Sequence, residues 1–261
     1  MPLHVDVRGS GPPLVLLHGF TQTGRLWGHF GDLLAESHTL IAVDLPGHGD
    51  SGSVRADLPT TAGLVAEAAR TVAGDEACAL LGYSLGARVA LQVAIRAELP
   101  LRHVVFIGLT AGIEDPLLRQ SRRVSDNDLA DELEASGDVE LFVDAWLHGP
   151  MFERLASGGA AGRAERLRNS AAGLASSLRL CGTGTQEPVW DLLPALPSPV
   201  LAMAGSDDTR FVSHALRVAR LVPHAIASLV PGGGHAVHLA QPEQSGRIVH
   251  HWLEAVEPGV A

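Results

Sequence analysis

"LLGYSLGARVALQ", residues 80–92, sets a serine between two glycines where an apolar run gives way to a helix-period segment. The spacing Gly82–x–Ser84–x–Gly86 is that of a sharp strand-to-helix turn that lifts a nucleophile out of a sheet. The same spacing arises by chance in glycine-rich chains, and an ordinary glycine-flanked turn is the plain alternative. Context decides between them: a strand-like run precedes the serine and a helix-period run over 85–97 follows it, as such a turn requires. Arg88 is the odd member. It falls in the first turn of the helix, where a cation opposes the helix dipole. It therefore reaches out to solvent or meets something negative.

The alternation extends in both directions. "PLVLLHG" (13–19), "TLIAVDLPG" (39–47), "CALLGYS" (78–84), "HVVFIG" (103–108), "PVLAMAGSDD" (199–208) and "AIASLVPGGG" (225–234) read as strands that end in turn residues. Amphipathic segments at 60–73, 85–97 and 211–221 lie between several of them. Alternation of this kind predicts an α/β fold with a parallel sheet covered on both faces. Right-handed crossovers then gather the strand C-terminal ends on one edge, where ligands bind. The rhythm breaks between about Ala111 and Asp191, where the chain is polar, arginine-rich and helical in period. The expected organisation is a core of residues 1–110 and 191–261 with a helical cap inserted at 111–190. "LLPALPSPV" (192–200) marks the return to the core.

Composition narrows the function classes. At 261 residues and 46% hydrophobic content, the chain can bury a substantial core. A net charge of −10 argues against a nucleic-acid partner. Every basic residue is arginine, which removes Schiff-base lysine chemistry and the P-loop lysine. No apolar stretch is long enough to span a membrane, and the start, "MPLHVDVRGSGPP", has no secretion-type apolar block. A soluble, cytoplasmic protein is expected. Cys78 and Cys181 are isolated and read as reduced thiols, not as a disulfide or metal pair. His235 and His238 stand three apart without an HExxH pattern. No nucleotide, flavin or metal signature occurs, so catalysis without a cofactor is expected.

A serine nucleophile needs an acid and a histidine, here expected in the order Ser, acid, His. "AGSDDTRF" offers Asp207 and Asp208 after one strand, and "VPGGGHAVH" offers His235 after the next. Asp208 fits a G-x-x-D loop that presents its carboxylate to the histidine, and Asp207 then serves as a turn residue. An oxyanion site needs two backbone N–H groups. Leu85, just after the serine, supplies one, and Phe20 in "LLHGFTQTG" supplies the other. His18 and His48 read as loop-bonding residues, and His238 as a brace for the His235 loop.

Together these residues resemble the α/β-hydrolase superfamily along essentially the whole chain. A finer resemblance lies mostly in the cap. "ERLRNSAAGLASSLRLCGTGTQEPVWDLL", "HGFTQTGRLW", "DLPGHGDS", "RQSRRVSDNDLADEL" and "FVDAWLHGPMF" are similar to the 2-succinyl-6-hydroxy-2,4-cyclohexadiene-1-carboxylate synthase family of menaquinone biosynthesis. Ala87 departs from it, since a second glycine commonly stands there. The resemblance implies an elimination of pyruvate from a tricarboxylate, with Ser84 as base, activated by His235 and Asp208. It also implies substrate contacts from Arg88, Arg122 in the first cap stretch (with Arg123 as its neighbouring rival), Arg168 in "RLRNS", Tyr83 and Trp146. Guanidinium groups bind carboxylates in bidentate fashion, and three of them would match three carboxylates. Two other readings share the scaffold: a serine hydrolase of esters, thioesters or carbon–carbon bonds, and a ligand receptor with little turnover.

Overall fold

The computed structural model describes residues 2–152, 155 and 162–255. Its strands are β1 (Val5–Arg8), β2 (Pro13–Leu17), β3 (Thr39–Val43), β4 (Cys78–Tyr83), β5 (Leu101–Ile107), β6 (Val200–Gly205) and β7 (Ala225–Val230). They form one sheet in the order β1-β3-β2-β4-β5-β6-β7. Every neighbouring pair is parallel except β1 with β3. The helices are α1 (Gly28–Ala35), α2 (Leu58–Ala73), α3 (Leu85–Ile95), α4 (Pro116–Ser136), α5 (Val139–Leu147), α6 (Arg163–Arg166), α7 (Ala171–Cys181), α8 (Thr209–Leu221), α9 (Val237–Ala240) and α10 (Pro242–Ala255). This is the α/β-hydrolase fold, a mostly parallel sheet flanked by helices.

The period of two along each strand divides the core. Val15 and Leu17 of β2 pack with Val65 of α2, Val89 of α3 and Val218 of α8 on one face. Leu14 and Leu16 pack with Phe30 of α1 and Val249 of α10 on the other. Both faces are covered, which is why β2, β4 and β6 read as continuous apolar runs. β1 had no such signature. Its four residues, VDVR, lie at the sheet edge and are half-buried to exposed.

Between β5 and β6 the chain adds α4 to α7, and no strand occurs there among the described residues. Asp115 caps α4 by accepting from the Leu117 and Leu118 amides, and Ser170 caps α7 by accepting from Gly173. Ala130 of α4 meets Ala175 and Leu178 of α7, with Phe20 of the core packed against them. The insertion thus sits over the C-terminal edge of the sheet. Ser84 follows β4, Asp208 follows β6 and His235 follows β7, so all three come off that edge. No helix among the described residues is long and apolar enough to cross a membrane. Cys78 and Cys181 are both buried free thiols.

Candidate active site

Ser84 occupies the turn between β4 and α3 with φ of 53°, a left-handed conformation that a non-glycine residue adopts only when its surroundings enforce it. The enforcement is visible. A Cβ on Gly82 would lie 2.2 Å from the Gly86 carbonyl oxygen, and one on Gly86 would lie 1.9 Å from that of Leu17. The two glycines let α3 start directly against the sheet, and the Ser84 amide donates to the Ile107 carbonyl at 2.9 Å.

His235 joins the serine to the acid. Its Nε2 lies 3.0 Å from Ser84 Oγ, and its Nδ1 lies 2.9 Å from Asp208 Oδ2. Burial works against ionisation of Asp208, but the hydrogen bond to His235 and the charge of that ring hold its carboxyl below the usual value. Asp207 points elsewhere: it accepts from the Ser206 hydroxyl at 3.0 Å and is exposed. The imidazole is clamped between the rings of Phe211 and Tyr83, with centroids at 4.4 and 5.4 Å.

In the loop after β2 the amides on either side of Phe20 are both engaged. Gly19 N–H donates to Gln22 Oε1 at 2.9 Å, and Thr21 N–H donates to His48 Nε2 at 3.3 Å. Between them, Phe20 N–H has no hydrogen-bond acceptor among the described residues, and neither has Leu85 N–H. Phe20 and Leu85 both line the cavity that holds Ser84 and His235.

Three arginines open onto that cavity: Arg88, Arg122 and Arg210. Arg88 is only 7% exposed. Its hydrogen bond, 3.4 Å long, goes to the Gln186 side-chain amide, and no carboxylate lies within ion-pair range of it among the described residues. Burial lowers its pKa to about 10. Arg122 pairs with Asp126 one turn along α4 at 2.7 Å. Arg123 does not line the cavity, which separates the two neighbours. Arg210 follows Asp208 by two residues on α8; it is exposed and makes no ion pair among the described residues. The sequence does not single it out.

Two expected substrate contacts do not line this cavity. Arg168 does not reach the cavity. It pairs with Asp50 at 2.9 Å and lies 3.7 Å from Glu165. Arg166, two residues earlier, is the member of "RLRNS" that turns inward; it is fully buried against Phe20, Thr21 and Phe152. Tyr83 also lies behind the site. Its ring is buried on His238 at 4.4 Å, beneath Gly19, and does not line the cavity. Trp146 of α5 does line it, edge-on to Phe20 at 5.1 Å.

The profile of the alpha/beta hydrolase family matches residues 14–245. The chain belongs to that family. Within the alpha/beta hydrolases it is 32% identical over 252 residues to a putative 2-succinyl-6-hydroxy-2,4-cyclohexadiene-1-carboxylate synthase of Bacillus subtilis (strain 168), covering 93% of this chain and 90% of the relative. It is 30% identical over 250 residues to the synthase of the same name from Serratia proteamaculans (strain 568), covering 95% and 94%. The structure of MenH from S. aureus superposes with a TM-score of 0.89 at 28% identity, covering 97% of this chain and 98% of that one. A thermophilic esterase from Thermogutta terrifontis shares the alpha/beta hydrolase fold at a TM-score of 0.84 and 23% identity, covering 97% and 93%.

One grouping of metal-ligating side chains among the described residues, His4, Asp44 and Asp50, stands apart from this alpha/beta hydrolase site. The oxygens of Asp44 are already taken by the Gly24 and Asp50 amides, at 2.6 and 2.8 Å.

The loops that frame the site contain three fully buried imidazoles. His18 accepts the Leu45 amide, His48 accepts the Thr21 amide, and His238 packs on Tyr83 and Trp27. Burial holds all three neutral, lowering His18 to about 4 and His48 and His238 to about 3. In the unfolded chain each would take a proton near pH 6.5. The unfolded state therefore binds more protons between pH 6.5 and about 4, and stability falls as the pH drops through that window. Urea unfolding at pH 7.5 and at 5.5 should show the loss, about 1.4 kcal/mol for each imidazole over the whole interval. Equal midpoints at the two pH values would mean that these rings ionise in the fold.

Proposed function

We propose that the protein is a carbon–oxygen lyase that eliminates pyruvate from 2-succinyl-5-enolpyruvyl-6-hydroxy-3-cyclohexene-1-carboxylate. The product is 2-succinyl-6-hydroxy-2,4-cyclohexadiene-1-carboxylate, in menaquinone biosynthesis. The names of the relatives support this reaction. The single observation that carries the reading to this chain is Arg88, a buried guanidinium beside Ser84 without an acidic partner among the described residues. Hydrolysis of a neutral ester has no use for such a charge. A polycarboxylate substrate does.

The chemistry follows from the substrate's connectivity. The ring proton at C2 lies α to the succinyl ketone, and the enolpyruvyl oxygen sits at C5 across the C3=C4 double bond. Ser84 Oγ takes the C2 proton while its own passes to His235 Nε2, 3.0 Å away. Asp208 holds the imidazole's other nitrogen and stabilises the imidazolium. The electrons left at C2 delocalise onto the ketone oxygen, whose charge Phe20 N–H and Leu85 N–H receive. Their return forms C2=C3, shifts the ring double bond to C4=C5 and expels the enolpyruvyl oxygen. Protonation of the departing enolate gives pyruvate. The carboxylates are held by Arg88 and Arg122, joined by Arg210 in place of Arg168, and Trp146 walls the apolar side. Residues 111–190 act as the cap that closes over the ring.

The test is pyruvate release from the tricarboxylate, generated in situ by the enzyme that makes it, beside hydrolysis of an aryl ester. Rapid pyruvate release with poor ester cleavage supports the lyase, and the reverse returns the protein to the serine hydrolases. Arg88→Ala should lower kcat/KM for pyruvate release by roughly 10- to 150-fold, as expected for losing charged hydrogen bonds. It should leave residual ester hydrolysis near its starting level. Equal losses in both reactions would count against carboxylate recognition by Arg88.

A further inference from the structure

The loop that carries the Phe20 amide is held from the insertion side by a short stretch just after α6. Asn169 is buried there, and its side chain is fully used. Its Nδ2 donates to the Thr21 carbonyl at 2.7 Å and to the Arg166 carbonyl at 2.9 Å, and its Oδ1 accepts from the Gly49 amide at 2.9 Å. Arg166 adds a donation to the Thr21 hydroxyl and another, at 3.4 Å, to the Phe20 carbonyl. These contacts converge on a strained position. Thr21 has φ of 66°, unfavourable for a β-branched residue and kept only where the surroundings over-determine it. On the core side, His48 and Gln22 hold the amides of Thr21 and Gly19. The Phe20 peptide is thus gripped between core and insertion.

We propose that Asn169 is a positioning residue for the elimination. By holding the Thr21 carbonyl it keeps Phe20 N–H aimed into the Ser84 cavity, so the oxyanion site belongs to the docked insertion as much as to the sheet. The inference rests on the assignment of Phe20 N–H as an oxyanion donor under Proposed function.

The test compares Asn169→Leu and Asn169→Asp with Glu165→Ala. The glutamate makes a different bridge between insertion and core, accepting from the Thr23 hydroxyl at 3.2 Å, and its loss leaves residues 20 and 21 untouched. Single-turnover rate at saturating substrate, KM and Tm are measured for each. Both Asn169 variants should lose roughly 10- to 100-fold in rate, the scale of a displaced oxyanion donor. KM should stay within about threefold, because the arginines that bind the carboxylates are unchanged. The aspartate keeps the acceptor for Gly49 N–H but cannot donate to Thr21. If only that anchor mattered, Asn169→Asp would turn over like the native protein, which overturns the proposal. Glu165→Ala should keep its rate even where Tm falls; an equal rate loss there would show that any weakened docking suffices, and overturns it too. Failure of both Asn169 variants to fold would make the residue structural and has the same consequence. A native protein that releases no pyruvate overturns the lyase reading instead. The Asn169 effect is then read on p-nitrophenyl acetate hydrolysis, which draws on the same donors. If neither reaction is catalysed, both inferences fall.

Discussion

Ser84→Ala should abolish pyruvate release to within the background rate, a fall on the order of 10²- to 10⁴-fold in kcat, with the folded state intact. The side chain ends in the cavity, and among the described residues its hydroxyl bonds to His235 Nε2 at 3.0 Å. Alanine keeps the Cβ that the turn already tolerates at φ of 53°, so the backbone is not further strained. His235→Ala should cost about as much, and the double variant no more than either single one, because the two act as a unit. Circular dichroism and Tm establish that the fold survives, and a coupled pyruvate assay gives the rate. Elimination that persists in Ser84→Ala but disappears in His235→Ala would transfer the role of base from serine to imidazole. Persistence in both would remove the triad from the mechanism altogether.

Gly86→Ala should strongly destabilise the native state. The added methyl carbon would stand 1.9 Å from the Leu17 carbonyl oxygen and 2.7 Å from that of His18. Both obstacles are backbone at the end of a central strand, so no side chain can swing aside. The helix would have to lift from the sheet, at about 3 kcal/mol or more. Gly63 in α2 offers the contrast, since nothing lies within 4 Å of its added Cβ. The same exchange there should raise stability by about 0.5–1 kcal/mol through better helix propensity. Urea denaturation of the two variants gives the comparison. A Gly86→Ala protein as stable as the native chain would mean that α3 does not rest on β2 as described.

Most of the sheet is legible because its strands are buried on both faces. Runs such as "LVLL" and "LAMA" are apolar without interruption, and each ends in a turn at the edge that bears the cavity. β1 escaped because an edge strand of four residues, with Asp6 and Arg8 in it, has no such continuity. The arginines mark the boundary of what pattern can resolve. In "RLRNS" two guanidinium groups stand two residues apart at the end of α6, and the helix closes between them. Which one turns inward depends on where the helix stops, a distinction of one residue. Resemblance pointed to Arg168; the fold buries Arg166 and leaves Arg168 on Asp50. Tyr83 shows the same limit, since adjacency to a nucleophile in sequence does not determine which side of the turn a ring faces. Arg210 becomes visible only when α8 is placed beside the cavity.

Arg88 also sets the terms on which this fold can be improved. It is a cation buried at the positive end of a helix, and a well-packed apolar side chain of similar length would relieve that cost. An apolar residue there would therefore give a sturdier scaffold that, on the proposed function, no longer recognises its substrate. On the proposed function, durability at this one position is exchanged for recognition of a carboxylate.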